Sequence, residues 1–458
     1  MLQKFLEFVL VPLIRALLHL FFRNIEVIGA ERVPADAPVV YTANHFNSLL
    51  DGMLARAFLP RDPRPLAKAT LWEITPFRLL LAATRAIPVY RLQDSQDPAY
   101  AQQNRDMFSA CYEALARREC IVLFPEGQSH SEPALLPLKS GAARIVLGAE
   151  QQAGPLGVRI IPVGLNFDAK EKFRSRVLID IGTPLDPMEG TERADPEDRE
   201  AVGRLTGRVE EGIRSVTLNY PTWEEGNVIR RAADLYVSQH KRHAAEERFS
   251  DEISVHRRLA AAYPVMKEQR PRRVARLVEA VNGYDRLLRV LSIQHEHVIQ
   301  EHPRLLQVIF SLRKFSLFLF RLPLALLGIF LNAIPYFLTR AVSRIRVRPD
   351  RASTTKLVAG FIIYPFCWTV QAALLGKGLF PPALWWLLAP VSGVASVLFQ
   401  ERHAQLLDEL RTYLRLRSHS EMKAELRQRL ETVEMEVTEF LELAKRWEPS
   451  APAQAQRS

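Results

Sequence analysis

The sequence predicts an α/β domain followed by a helical region and C-terminal membrane helices. Three observations carry that reading. Short apolar runs alternate with helical patterns from Ile25 to about Leu218, the signature of a parallel or mixed sheet flanked by helices. From Thr222 to about Arg304 charged residues dominate and apolar positions recur at helical spacing. Beyond that lie apolar stretches long enough to cross a bilayer.

The chain has 458 residues, 48% of them apolar, so one catalytic domain with substantial extra structure can bury a large core. Its formal net charge of +10 points to a polyanionic surface as partner. No zinc-finger spacing, aromatic RNA-binding signature or compact basic helix is present. A membrane is therefore favoured over nucleic acid. Three scattered cysteines, Cys111, Cys120 and Cys367, form no C-x-x-C pair, which fits a reduced, cytoplasm-facing catalytic part.

Residues 1–24 read as an amphipathic helix lying in the membrane interface. Glu7 and Arg15 interrupt the apolar run and no small-residue cleavage site follows, unlike a signal peptide. Residues 25–220 form the α/β domain. Val39 to Ala43, Ile87 to Tyr90, Ile121 to Phe124, Ile160 to Phe167 and Val177 to Ile181 read as strands. Helices are expected over Pro98 to Arg117 and Ser140 to Gln151.

Residues 221–304 form the helical region, broken near Pro264, Pro271 and Pro303. Residues 305–400 are membrane-embedded. Within them, 357–375 and 379–399 read as a transmembrane hairpin around Gly376-Lys377-Gly378. The linker after Leu338 carries Arg340, Arg344, Arg346, Arg348, Arg351 and Lys356 against Asp350 alone, which places it in the cytoplasm. A single crossing by residues 315–338 would then put the preceding domain outside, so that stretch is expected to run along or back out of the membrane, bent by Pro323 and Pro335. Residues 401–447 are helical, with a heptad-like seam at Leu426, Leu430, Val433, Val437, Phe440 and Ala444. Residues 448–458 read as a disordered tail.

Four blocks carry chemistry. Asn44-His45-Phe46-Asn47 with Asp51 follows the first predicted strand. A carboxylate beside a histidine fixes the imidazole tautomer, so that the other ring nitrogen can take a proton from a hydroxyl. Ile87-Pro88-Val89-Tyr90-Arg91 ends a strand in a guanidinium suited to phosphate. Phe124-Pro125-Glu126-Gly127-Gln128-Ser129-His130 leads through a turn towards Lys139 and Ser140, a helix start suited to an anionic group. Its Gly127-Gln128-Ser129-His130-Ser131 stretch lacks the second glycine of a serine-hydrolase nucleophile elbow. Ile160 to Phe167 reads as a strand lining the site, and Lys172-Phe173-Arg174-Ser175-Arg176 follows it with two arginines.

In this order, the four blocks resemble those of the glycerophospholipid acyltransferase superfamily. The usual spacing there leaves four residues between His and Asp, whereas His45 and Asp51 are separated by five. The longer spacing, the Phe124 to Lys139 stretch and the Lys172 to Arg176 segment are most similar to the fungal-type glycerol-3-phosphate/dihydroxyacetone-phosphate acyltransferases.

The resemblance implies a glycerol-3-phosphate acyltransferase-like fold and a membrane-bound O-acyltransferase of phospholipid biosynthesis. His45 is then the general base and Asp51 its orienter. Arg91, Lys139, Arg174 and Arg176 are candidates for the acceptor phosphate. Glu126, Gly127 and Ser129 shape the acceptor or oxyanion site.

The implied partners are membrane lipids, an acyl thioester on coenzyme A or acyl-carrier protein, and glycerol-3-phosphate or dihydroxyacetone phosphate as acceptor. No nucleic acid, cofactor or metal is implied, and oligomeric state is left open. The alternatives are an acyltransferase for lysophosphatidic acid or another lysophospholipid, and a non-catalytic lipid-binding protein.

Overall fold

The computed structural model describes residues 2–73, 75–90, 100–190, 195–240, 248–291, 295, 298, 304–344, 348–375, 381–417 and 420–445. They form two compact units. The first comprises Met1–Trp223 with Arg248–Arg257 and Arg348–Thr354.

In the first unit, helix α1 (Leu2–Phe21) runs directly into strand β1 (Phe22–Ile28). Then come β2 (Val39–Ala43), α2 (Leu49–Phe58), β3 (Arg64–Lys68), α3 (Thr75–Ala83) and β4 (Ile87–Val89). They are followed by α4 (Tyr100–Ala116), β5 (Cys120–Leu123), α5 (Gly141–Ala153), β6 (Arg159–Phe167), β7 (Ser175–Ile181) and α6 (Arg199–Val216). The seven strands lie in the order β1-β7-β6-β2-β5-β3-β4. Every neighbouring pair is parallel except β6 and β7, so the sheet is mixed, as the alternating pattern predicts.

β2 sits in the middle of the sheet and all five of its residues are buried. Strands covered on both faces read as continuous apolar runs, which is why β2, β5 and β6 were visible in sequence. Val40, Ile121 and Ile160 join Leu115, Val146 and Val209 of α4, α5 and α6 in one core. Tyr41, one residue further along β2, is fully buried and donates its hydroxyl proton to the Pro60 carbonyl, just past α2.

Two charged side chains of α1, Glu7 and Arg15, face the protein. Glu7 pairs with Arg85 at 3.1 Å, and Arg15 donates to the Ala57 carbonyl at 2.8 Å. Ile14, Leu18 and Phe21 are buried as well. Phe8, Val9, Leu13 and Leu20 are exposed, and Phe8 keeps 79% of its surface. The helix therefore packs on the core through one face and presents bare hydrocarbon on another.

The second unit contains most of α7 (Trp223–His240), α8 (Phe249–Gln269) and all of α9 (Pro271–Leu291). It continues with α10 (Arg304–Val342), most of α11 (Ala352–Leu375), α12 (Pro382–Arg417) and α13 (Ser420–Lys445). Pro264 lies inside α8, whereas the break falls between Gln269 and Pro271. Pro303 and Gly376 to Gly378 lie outside the described residues. The α13 seam is buried from Leu426 to Phe440, and α13 packs on α9 of the same chain, where Arg273 pairs with Glu439.

Among the described residues three helical spans are long and apolar enough to cross a membrane: Arg321–Val342, Ala352–Leu374 and Ala383–Glu401. α10 continues through both Pro323 and Pro335. Membrane helices tolerate proline because neighbouring helices and local adjustments satisfy the freed carbonyls. At Gly328 a Cβ would lie 2.0 Å from the Ser392 carbonyl oxygen, so only glycine permits this approach of α10 and α12. Asn332 bridges the same contact, donating to the Ala389 carbonyl at 3.1 Å and accepting from the Trp368 indole at 3.0 Å.

Candidate active site

The chemistry-bearing loops leave the carboxyl ends of β2 and β5, which pair in parallel with Thr42 opposite Leu123. Matched strand ends bring the next residues together, and this edge of an α/β sheet is where ligands bind. The His45 ring stacks on Phe124 with centroids 4.3 Å apart. On the other side, β2 pairs with β6, and Asn44 exchanges two hydrogen bonds with the Leu165 backbone, at 2.7 and 3.1 Å.

His45 Nδ1 lies 2.9 Å from Asp51 Oδ2. An ionised carboxylate only accepts, so Nδ1 carries the proton and Nε2 keeps its lone pair. No hydrogen bond to Nε2 occurs among the described residues, and the side chain is 16% exposed. Asp51 Oδ2 also accepts from the Asn47 N–H at 2.6 Å. Burial pushes the Asp51 carboxyl above the usual carboxylate range, opposed by its bonds to His45 and Asn47 and by the charge of Lys170.

Ser48 takes up the extra residue between His45 and Asp51. It adopts φ 52° and ψ −123°, and the Leu50 N–H donates to the Asn47 carbonyl at 3.1 Å. These are the features of a type II′ turn with Ser48 at its first central position, where glycine is preferred. α2 starts immediately afterwards, with Asp51 in its first turn.

The second loop is built around Glu126, which is buried. A turn closes it, with the Gly127 N–H donating to the Phe124 carbonyl at 3.0 Å. Pro125 at the second position and Gly127 at the fourth suit such a turn. Glu126 Oε1 accepts from the His45 N–H at 2.6 Å. Its Oε2 accepts from the Leu136 N–H at 2.9 Å and from His130 Nε2. His130 Nδ1 accepts from the Glu132 N–H at 3.1 Å, which assigns the ring proton to Nε2. Glu126 thus holds the backbone of the histidine loop.

Lys170 was not singled out in the sequence. It lies just past the apolar β6 run, in Asp168-Ala169-Lys170, and a lone lysine after a strand has no distinctive signal. Its ammonium donates to the carbonyls of Phe46 at 3.0 Å and His130 at 3.1 Å, and to Ser131 Oγ at 2.7 Å, joining the His45 and Glu126 loops. Burial holds its pKa below the usual lysine value, opposed by Asp51, Glu171 and Asp350.

The other predicted residues divide clearly. Gly127 has φ 72°, and Lys139 is exposed with its side chain laid over it: a Cβ at Gly127 would come within 2.7 Å. Ser129 donates to Asp350 at 2.6 Å. Arg91 lies outside the described residues.

Arg174 and Arg176 are engaged elsewhere. Arg174 donates to the His19 carbonyl at 3.0 Å, and its N–H donates to the Phe21 carbonyl at 2.6 Å, capping the end of α1. Arg176 grips Glu252 at 2.6 and 2.7 Å, pairs with Asp168 at 3.2 Å and covers the Phe249 ring. These contacts draw the two guanidinium groups to the end of α1 and to Glu252. Beside the His45–Glu126 cluster a cavity of about 660 Å³ opens, lined by Gln128, His130, Ser131 and Glu132 together with Arg348 and Asp350. Among the described residues no group of three His, Cys, Asp or Glu side chains is placed to hold a metal ion.

Residues 24–166 match the family model described as acyltransferase. The chain is 28% identical over 373 residues to glycerol-3-phosphate O-acyltransferase 2 of Saccharomyces cerevisiae, covering 76% of this chain and 48% of that one. It is 32% identical over 188 residues to an uncharacterised acyltransferase of Schizosaccharomyces pombe, covering 41% and 27%. The chain spans about half or less of the length of these relatives. A solved 1-acyl-sn-glycerophosphate acyltransferase from Thermotoga maritima is 21% identical, with a TM-score of 0.34, covering 47% of this chain and 79% of that one. That similarity is too distant to carry an argument about the site.

Proposed function

We propose that this integral membrane member of the glycerophospholipid acyltransferase superfamily transfers a fatty acyl group from a thioester to a hydroxyl of glycerol-3-phosphate or dihydroxyacetone phosphate. The observation that carries the proposal is the His45–Asp51 pair, with Nε2 open at the carboxyl ends of adjacent parallel strands. His45 Nε2 takes the proton of the acceptor hydroxyl as its oxygen attacks the thioester carbonyl. The tetrahedral intermediate collapses, the C–S bond breaks, and the imidazolium returns the proton to the leaving sulfur. Asp51 stabilises the imidazolium while the proton is on it. A positioned base of this kind contributes about 10²- to 10⁴-fold.

Lys139 beside Gly127, with Arg91, is the proposed seat of the acceptor phosphate. Arg174 and Arg176 are left out of it because the structure engages them with the carbonyls at the end of α1 and with Glu252 and Asp168. The exposed hydrocarbon of α1 would enter the headgroup boundary and hold the site at the source of its poorly soluble substrates. The catalytic domain is proposed to face the cytoplasm, in keeping with the basic residues around Arg340 to Arg351.

The test is acyl transfer by purified protein in liposomes. Labelled acyl-CoA and acyl-carrier protein are compared as donors, and glycerol-3-phosphate, dihydroxyacetone phosphate and lysophosphatidic acid as acceptors. Lysophosphatidic acid made from glycerol-3-phosphate and abolished by His45→Ala is the expected result. Transfer only to lysophosphatidic acid would move the protein one acylation step later. Absence of transfer to any acceptor by folded protein would favour a lipid-binding role.

A further inference from the structure

The segment Arg348–Thr354 leads into the second membrane-length helix and includes its first three residues, yet it folds into the same compact unit as the acyltransferase domain. Asp350 is buried and accepts from Ser129 Oγ at 2.6 Å. Arg348 lies 3.3 Å and Arg351 3.9 Å from its carboxylate, so the buried charge is neutralised from its own loop. Three residues after Asp350, fully buried Ser353 donates its hydroxyl to the Lys170 carbonyl. That carbonyl also accepts from the Asn47 side chain at 3.2 Å. Thr354 Oγ1 reaches the Asn47 carbonyl at 3.5 Å.

Each contact ends on a residue one step from the chemistry. Asn47 supplies the N–H that, with His45, holds Asp51. Lys170 ties the His45 loop to the Glu126 loop. Ser129 leaves the Glu126 turn, and Arg348 and Asp350 wall the adjoining cavity. A buried carboxylate and a buried hydroxyl aimed at these groups are costly unless paired, so the segment is held in one arrangement.

We propose that Ser353 and Asp350, in the segment joining the first two membrane-length helices, are positioning residues of the acyl-transfer site. The proposal rests on reading His45 as the acyl-transfer base. Ser353 fixes the Asn47–Lys170 junction behind Asp51, and Asp350 fixes Ser129 at the cavity mouth. The helix that begins with Ser353 and Thr354 in its first turn is the span Ala352–Leu374, so the catalytic loops are anchored to its start.

The experiment uses the full chain in liposomes, with His45→Ala as the inactive control. Loss of one positioning hydrogen bond is expected to lower kcat about tenfold in Ser353→Ala, with donor KM unchanged and the protein still fully folded at the assay temperature. Asp350→Asn and Ser129→Ala should each lower kcat, and the double variant should fall no further than the deeper single, because the two act through one bond. Ser353→Ala and Asp350→Asn enzymes with wild-type kcat and KM, beside an inactive His45→Ala, would overturn the inference. So would losses that track only the folded fraction.

A second measurement does not depend on activity. Arg351→Cys and Glu31→Cys, both at exposed positions, should react with an impermeant maleimide from the same side of sealed vesicles, the native cysteines being buried. Labelling from opposite sides would refute the docking of the segment. If the wild-type protein transfers no acyl group, the proposed function falls and the labelling alone decides the docking.

Discussion

Glu126→Gln tests the architecture of the site in one atom exchange. Three donors converge on two buried carboxylate oxygens: the His45 N–H on Oε1, and the Leu136 N–H and His130 on Oε2. An amide has the same shape but one acceptor atom. If its oxygen stays with Leu136 and His130, its NH₂ confronts the His45 N–H. If it flips, two donors are stranded instead. A buried donor without a partner costs about 1–3 kcal/mol, and loss of the charge weakens the bonds that remain. The expected total is about 2–3 kcal/mol, or a fall in melting temperature of about 5–10 °C for a domain of this size.

The catalytic effect should be larger, because the displaced group is the backbone of His45, the proposed base. A misplacement of about 1 Å can cost about 100-fold. Initial rates with labelled acyl donor and glycerol-3-phosphate, alongside melting curves in the same detergent, separate the two effects. A variant with wild-type kcat and melting temperature would refute the assignment of Glu126 as the clamp on the histidine loop. Glu126→Asp keeps the charge but is one methylene short, and should fall between the two.

Arg176→Ala should lower the melting temperature, since it removes two charge-assisted hydrogen bonds to buried Glu252, worth about 1.5–3 kcal/mol each. A selective rise in KM for glycerol-3-phosphate with no change in melting would instead return Arg176 to the phosphate site. Ser48→Gly should hold or raise the melting temperature, because glycine takes φ 52° without strain, whereas Ser48→Val should lose about 1–3 kcal/mol. Chemical denaturation of the two variants side by side checks this, and equal stabilities would argue against strain at the turn. In the second unit, burial and then the nearby Arg231 charge hold His295 down at about 4, against 6.5 for a free imidazole. The unfolded chain therefore takes up the proton first, and stability should fall by about 3 kcal/mol as pH drops from about 6.5 to 4. Melting curves across that range for the wild type and His295→Gln test the sign, since the variant should lose this part of the slope.

What the sequence revealed depended on what each segment buries. β2, β5 and β6 were legible because both of their faces are covered. β1 and β3 were not recognised as strands. β1 lies at a sheet edge and carries Arg23, Asn24 and Glu26, and β3 opens with Arg64-Pro65. Neither offers the apolar run or clean alternation that marks a strand. The site divided in the same way. His45, Asp51, Glu126 and Gly127 lie next to strand ends, where pattern singled out their blocks and the family resemblance joined them into one site. Lys170 and Asp350 reach the site only through chain crossings of the kind that local pattern does not encode.

The same contrast governs Arg174 and Arg176. A pair of arginines two residues apart on an extended segment points to one side, and a shared anion is the natural inference from sequence. In the fold, Arg174 has φ 63°, which breaks the extended path before Ser175 begins β7. The two guanidinium groups diverge, one to the carbonyls at the end of α1 and the other to Glu252. Their spacing predicted a shared direction only for regular strand geometry, and one left-handed residue removed it. Ser48 shows the converse: a left-handed residue between His45 and Asp51 restores a geometry that the longer spacing would have lost. In both places a single backbone angle, invisible in composition or periodicity, decides whether a motif's side chains meet.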